Sequence, residues 1–223
     1  MMEYYLFLLL TLGITLGAQA YLNSTYNKYV KVKNSKKITG AEVARKILDQ
    51  NNLKNVKVVE TSDTLSDHYD PKEKVVRLST DIYKGESIAS VSVAAHECGH
   101  AIQHKDGYVF LRIRSSIVPV VNIASKAGYL LIVIGLIAGF AQLFLLGILC
   151  EVIILLFQLI TLPVEFDASH RGLKQIQDLG LVEAGEVSSA RSMLTAAAMT
   201  YVASVATAII QILRLVLMSR GRN

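Results

Sequence analysis

Residues 117–163 form one apolar run, far longer than the roughly twenty residues a helix needs to cross a bilayer. No soluble core absorbs such a run comfortably, and one straight span leaves most of it over. It divides near Gly139–Gln142 into helices of about 117–139 and 143–163, joined by a tight hairpin. Two further apolar stretches, residues 4–22 and about 194–217, are each long enough for one span. With 52% hydrophobic and 18% charged residues, the chain is too apolar for an ordinary soluble domain. The expected architecture is a mainly α integral membrane protein of about four transmembrane helices. Inside a bilayer the backbone must satisfy its own polar groups, and helices do so.

The first stretch is read as an uncleaved anchor rather than a secretory signal, because Met1-Met2-Glu3 supplies no positive charge ahead of it. The polar segment from Asn23 to about Arg114 then carries the soluble fold. Thr39-Gly40-Ala41-Glu42 has the spacing of a capping box and predicts a helix over 41–50. Val56–Glu60 and Lys74–Ser79 read as strands, separated by the turn-rich SDHYDPKEK. The expected division is an anchor (1–22), a soluble α+β part (23–115), a helical hairpin (116–163), a polar segment (164–193), and a last span with a basic tail (194–223).

Within the soluble part, His96-Glu97-Cys98-Gly99-His100 lies in a stretch, residues 86–105, that reads as an unbroken helix. Residues four apart share a helix face, so both imidazoles can meet one ion. This is the H-E-x-x-H arrangement: His96 and His100 hold Zn²⁺, and Glu97 takes a proton from water as general base. Ala89, Ala94, Ala95 and Gly99 leave room around the histidines, as close approach of ion and substrate requires. The following architecture is a small zincin-like catalytic domain. Strand Val75–Ser79, with Val75, Val76, Arg77 and Leu78, is the candidate edge on which an extended peptide adds as a further strand. An ordinary sheet strand is the alternative.

A catalytic zinc site takes three protein ligands and keeps one position open. Two residues compete for the third place. Asp106 sits where some zinc peptidases carry theirs, but the helix-breaking glycine of that pattern is Gln103 here. His104 is too far along the helix axis from His96 to share the ion. Glu165, in LPVEFDASHR, directly follows the second half of the hairpin. Two crossings return the chain to the side it left, so the better expectation is His96, His100 and Glu165. His68 and Tyr69 are read as a hydrogen-bonded turn, with transition-state stabilisation as their functional alternative.

The chain resembles the YugP-type neutral zinc membrane peptidases, and more distantly the HtpX and prenyl-protein membrane metalloproteases. The resemblance covers nearly the whole chain. It rests on SDHYDP, on RLS followed by AAHECGHAIQH, on the paired spans, and on LPVEFDASHR before the last apolar segment. It implies a zinc endopeptidase with ligands His96, His100 and Glu165, one zinc per chain, and Glu97 as base. The distant relatives carry an aspartate four residues after the ligating glutamate, which orients a zinc histidine. Ser169 stands there in this chain, so Asp167, Ser169 and His170 all compete for the orienting role.

Charge sets the expected sidedness. Lys28, Lys31, Lys33, Lys36, Lys37, Arg112, Arg114, Arg171, Lys174 and Arg191 would share one side, against Arg220 and Arg222 on the other. The positive-inside bias therefore puts the catalytic side in the cytoplasm of a multi-pass cell-membrane protein. Cys98 and Cys150 make no disulfide framework, in keeping with a reducing compartment. Topology and anionic lipid account for the net charge of +5, and no basic and aromatic stripe suggests nucleic acid. The expected partners are a polypeptide substrate and the bilayer. The competing class is a non-catalytic zinc-binding membrane scaffold, which would have no use for an acid between the histidines.

Overall fold

The computed structural model describes residues 2–62 and 66–220. Met1 and Arg222, which entered the charge argument, lie outside them. Helix α1 (Met2–Tyr29) is followed by α2 (Gly40–Gln50), strands β1 (Lys57–Thr61), β2 (His68–Asp70) and β3 (Val75–Ser79), and the short α3 (Thr80–Tyr83). Next come α4 (Ile88–Lys105), α5 (Val109–Ile137), α6 (Ala141–Asp178) and α7 (Val187–Arg220). The described residues are mostly helical, with one three-stranded sheet among them. It divides into two compact units. One comprises residues 1–19, 112–163 and 200–223, and the other residues 20–111 and 164–199.

In the first unit, the long run breaks where expected. Helix α5 ends at Ile137 and α6 begins at Ala141, with Gly139 at φ 75° in the turn, a conformation glycine adopts without strain. The two helices approach closely at glycines. A Cβ on Gly135 would lie 2.5 Å from the Phe144 nitrogen, and one on Gly147 would lie 2.5 Å from Ile132 Cγ1. Among the described residues, four helices are long and apolar enough to cross a membrane: Tyr5–Tyr29, Val109–Ile137, Ala141–Asp178 and Ala184–Ser219.

The second unit holds the hydrophobic core cluster built around α2 and α4. Helix α2 starts at the anticipated capping box: Thr39 Oγ1 accepts from the Glu42 amide, and the Glu42 carboxylate accepts from the Thr39 amide. Gly40, Val43, Ala44, Ile47 and Leu48 form its buried stripe, at the i, i+3, i+4 spacing of an amphipathic helix. Val43, Ile47 and Leu48 are fully buried, each worth about 1.5–3 kcal/mol by removal from water. This stripe packs against α4 with Val76, Leu78, Val91, Ala94, Cys98 and Ala101 in one cluster.

The sheet corrects two expectations. SDHYDPKEK is not turn alone, because His68–Asp70 forms β2 and pairs antiparallel with β3. Asp70 Oδ1 accepts from the Lys72 and Glu73 amides and folds the intervening turn, which Lys74 closes at φ 52°. Strand order is β1-β3-β2, so Val75–Ser79 is the central strand and not an edge. Val75, Val76 and Arg77 are paired on both sides, to Lys57, Val58 and Val59 and to Asp70, Tyr69 and His68. Beyond β2, Asp67 Oδ1 takes the Ser79 amide at 2.7 Å. With both neighbours present, β3 cannot accept a peptide as an added strand. The sequence of β3 hid this, because a hydrophobic five-residue strand reads alike at the edge and in the centre.

Candidate metal centre

Ser87 opens α4 by accepting from the Ser90 amide, and from there the helix is buried on nearly every side. Val93, His96 and His100 are the partly exposed positions between Ile88 and Ala101, at i, i+3 and i+7, so the helix is open along a single line. His96 and His100 stand on that line with ring centroids 4.8 Å apart, nearly perpendicular.

The C-terminal part of α6 lies against the same face. Helix α6 runs on through Pro163 without a break, and Val164, Glu165, Ala168, Gly172, Leu173 and Ile176 form its buried stripe. The crossing is made possible by absent side chains. A Cβ on Gly99 would lie 2.2 Å from the Ala168 carbonyl oxygen, and one on Gly172 would lie 2.7 Å from that of Ala95. The small residues beside the histidines thus admit another backbone, where the sequence suggested room for ion and substrate.

This approach puts Glu165 Oε2 3.3 Å from His96 Nε2 and 3.5 Å from His100 Nε2. One ligand atom from each of the three residues lies within 4.8 Å of the others. Glu165 is almost wholly buried, with 3% of its side chain exposed, against 16% for His96 and 12% for His100. Both ring Nδ1 atoms are engaged elsewhere, His96 with Ser169 Oγ at 3.1 Å and His100 with Gln103 Oε1 at 3.0 Å. Burial alone would lower the His100 pKa. The Glu165 hydrogen bond, with the negative charges of Glu97 and Glu165, reverses this and holds it above the ordinary histidine value. Glu97 itself is buried.

The other candidates separate cleanly. Asp106 caps the C-terminus of α4 and pairs with Arg171 at 2.6 Å, apart from the converging trio. Of the three residues that competed to orient a histidine, Ser169 touches His96, whereas Asp167 accepts from Gln103 and Arg171. His170 is exposed. His68 Nδ1 lies 2.6 Å from the Ser66 carbonyl, and the Tyr69 hydroxyl meets His104 Nδ1 at 2.9 Å. Burial raises the Tyr69 phenol above its ordinary pKa. Cys98 is fully buried with Sγ 3.6 Å from the Ala44 carbonyl, and burial pushes its thiol far up, so it is chemically inert. Gln103 was seen in the sequence only as a missing glycine. Its position three residues after His100 was the available signal, because that spacing lets side chains meet on a helix.

A family model described as "Putative neutral zinc metallopeptidase" matches residues 4–220. The chain belongs to the neutral zinc metallopeptidase family. Within the range shared with this family lie both histidines, Glu97 and Glu165. The chain is also similar to the "Putative membrane protease YugP" of Bacillus subtilis (strain 168), at 46% identity over 215 residues. That alignment covers 95% of this chain and 96% of the relative. No solved structure matches it significantly.

Proposed function

We propose that this protein is a membrane-embedded zinc endopeptidase in which His96, His100 and Glu165 hold one zinc and Glu97 is the general base. The observation that carries the reading is the convergence of two Nε2 atoms on one carboxylate oxygen at 3.3 and 3.5 Å. Two donors bonded to the same tetrahedral zinc at about 2.0–2.1 Å stand about 3.3–3.4 Å apart, so the donor set fits the ion. Two neutral imidazoles and one carboxylate are also the donor chemistry that zinc accepts in catalytic sites. When bound, zinc supplies Lewis acidity, which polarises a peptide carbonyl and makes water more acidic.

The chain's residues do the rest. Glu97 follows His96 on the helix and is close enough for its charge to act on His100. It takes a proton from water and returns it to the leaving amine. Ser169 and Gln103 hold the rings from behind, so that both Nε2 atoms face Glu165. The line Val93–His96–His100 leaves the site open on one side for a polypeptide.

That opening also separates the two classes of function. A structural zinc site closes with four protein ligands, whereas three His, Cys, Asp or Glu donors meet here among the described residues. The partial exposure of both histidines and the acid at Glu97 favour catalysis over a scaffold. The exposed lysines that follow α1 support a cytoplasmic catalytic side. Because β3 is central, an added substrate strand would have to use an outer sheet edge such as β2.

The test is Glu97→Gln, which keeps the three ligands and deletes the base. It should leave zinc content and folding unchanged while lowering cleavage of an unfolded protein by about 10²–10⁴-fold. Undiminished proteolysis by a pure, zinc-loaded variant would remove Glu97 from the mechanism.

A further inference from the structure

His100 turns Nε2 toward Glu165 and Nδ1 toward Gln103 Oε1, 3.0 Å away. Gln103 is fully buried. The nitrogen of its amide is committed twice, donating to the Val164 carbonyl at 2.7 Å and to Asp167 Oδ2 at 2.8 Å. Neither of those oxygens has a proton to give. The first is a backbone carbonyl, and the second belongs to a carboxylate that also accepts from Arg171 Nε at 2.6 Å. Reversing the amide would set Oε1 against two acceptors in a buried place, at the cost of unpaired polar atoms. The amide therefore has one allowed orientation, with its carbonyl facing His100.

The consequence passes to the imidazole. Oε1 accepts only, so His100 must carry a proton on Nδ1. A neutral imidazole has a single N–H, and with it on Nδ1 the lone pair stands on Nε2, among the converging donor atoms. His96 has no equivalent lock. Its Nδ1 meets the Ser169 hydroxyl, which can donate or accept and so suits either tautomer.

We propose that Gln103 is a positioning residue that fixes the tautomer and ring orientation of His100, through a chain running Arg171, Asp167, Gln103, His100. The chain also joins the two helices that supply the donors: Gln103 and His100 lie on α4, while Val164, Asp167 and Arg171 lie on α6, beside Glu165. Asp106 anchors its far end by pairing with Arg171 at 2.6 Å. The two histidines are thus held unequally, and His100 is the fixed one. This inference rests on the zinc site proposed above, where a bound ion would take the Nε2 lone pair.

The test uses the full-length chain in detergent, loaded with zinc. Zinc affinity is measured by competition with a chelator, and solvent exchange of imidazole N–H protons by NMR with ¹⁵N-labelled histidine. In the wild-type chain the His100 Nδ1 proton should be present and protected from exchange. Gln103→Leu fills a similar volume without an acceptor, and should abolish that protection and weaken zinc binding about 10–100-fold. Gln103→Met is the second variant, because its unbranched side chain keeps the shape and length of glutamine and likewise lacks the carbonyl acceptor. It should lose the Nδ1 protection and the zinc affinity as Gln103→Leu does although the volume is kept, which a packing role for Gln103 does not predict. Unchanged affinity in Gln103→Leu, or no protected Nδ1 proton in the wild-type chain, overturns the proposal. If the leucine variant fails to fold, the wild-type spectrum and the methionine variant still decide. A wild-type chain that binds no zinc overturns the metal site itself, a result distinct from tight wild-type binding that is indifferent to Gln103.

Discussion

Gly99→Ala tests whether the close crossing of α4 and α6 builds the site. The added Cβ would sit 2.2 Å from the Ala168 carbonyl oxygen, 2.9 Å from its carbon and 3.1 Å from its Cα. A comfortable carbon to oxygen contact is about 3.3–3.6 Å, so the backbones must part by roughly 1 Å. All the atoms met are backbone, and no side chain can swing aside. Two effects oppose each other. Alanine is the better helix former by about 0.8–1.0 kcal/mol, which alone would stabilise α4. Overpacking in a well-filled core costs about 1–3 kcal/mol, so the net effect should be destabilising. The consequence for the metal is larger. Glu165 stands one turn before Ala168, and moving it by about 1 Å breaks its match to zinc bonds of about 2.0–2.2 Å. The assay is zinc affinity by chelator competition, with the melting temperature of the zinc-free protein measured alongside. Gly13→Ala, whose Cβ meets nothing within 4 Å, is the control and should bind zinc as the parent does. Gly99→Ala should lose at least about tenfold in affinity, on the scale seen when ligand positioning fails. Wild-type affinity and an unchanged or higher melting temperature would show that the close crossing of α4 and α6 does not set the site.

The same geometry ranks the two acids proposed as third ligand. Glu165→Ala should release most of the zinc, whereas Asp106→Ala, which removes an ion pair with Arg171, should keep it, as zinc per purified chain will show. Thr39→Ala should lower stability by about 0.5–2 kcal/mol, read from the melting temperature, through loss of the α2 cap. Its partner Glu42 accepts from the Thr39 amide and hydroxyl and is held below the ordinary glutamate pKa. A depressed folded-state pKa stabilises the fold above the unfolded value, and that gain is lost as pH falls through the folded one. The deficit of Glu42→Gln should therefore appear near neutral pH and vanish in acid. For sidedness, a cysteine at position 36 should react with an impermeant reagent only after cell lysis; labelling of intact cells would place the catalytic side outside.

Periodic and spaced features were legible in the sequence. The break at Gly139, the capping box at Thr39 and the helix carrying His96 and His100 each rest on local chemistry, in a turn, a cap and an i, i+4 pair. The convergence of Glu165 with His96 and His100 followed from counting crossings, and the structure brings these three together. Two things were not legible. The central place of β3 depends on β2, a strand of three residues whose pairing is set by the sheet and by the Asp70 turn rather than by its own pattern. The role of Gln103 depends on α6, which is distant in sequence and supplies both acceptors for its amide. Gly99 shows the intermediate case: its smallness was visible, but what approaches it, the Ala168 backbone, was not.

Peptide hydrolysis by this chain should depend on one zinc, which a metal titration measures. The purified chain is stripped with a chelator, zinc is returned in measured steps, and bound metal and cleavage of an unfolded protein are read on the same samples. Cleavage should be absent at zero zinc, rise in proportion to bound metal, and level off at one zinc per chain. Cleavage that survives complete removal of metal, or a fully loaded chain that cleaves nothing, would contradict it.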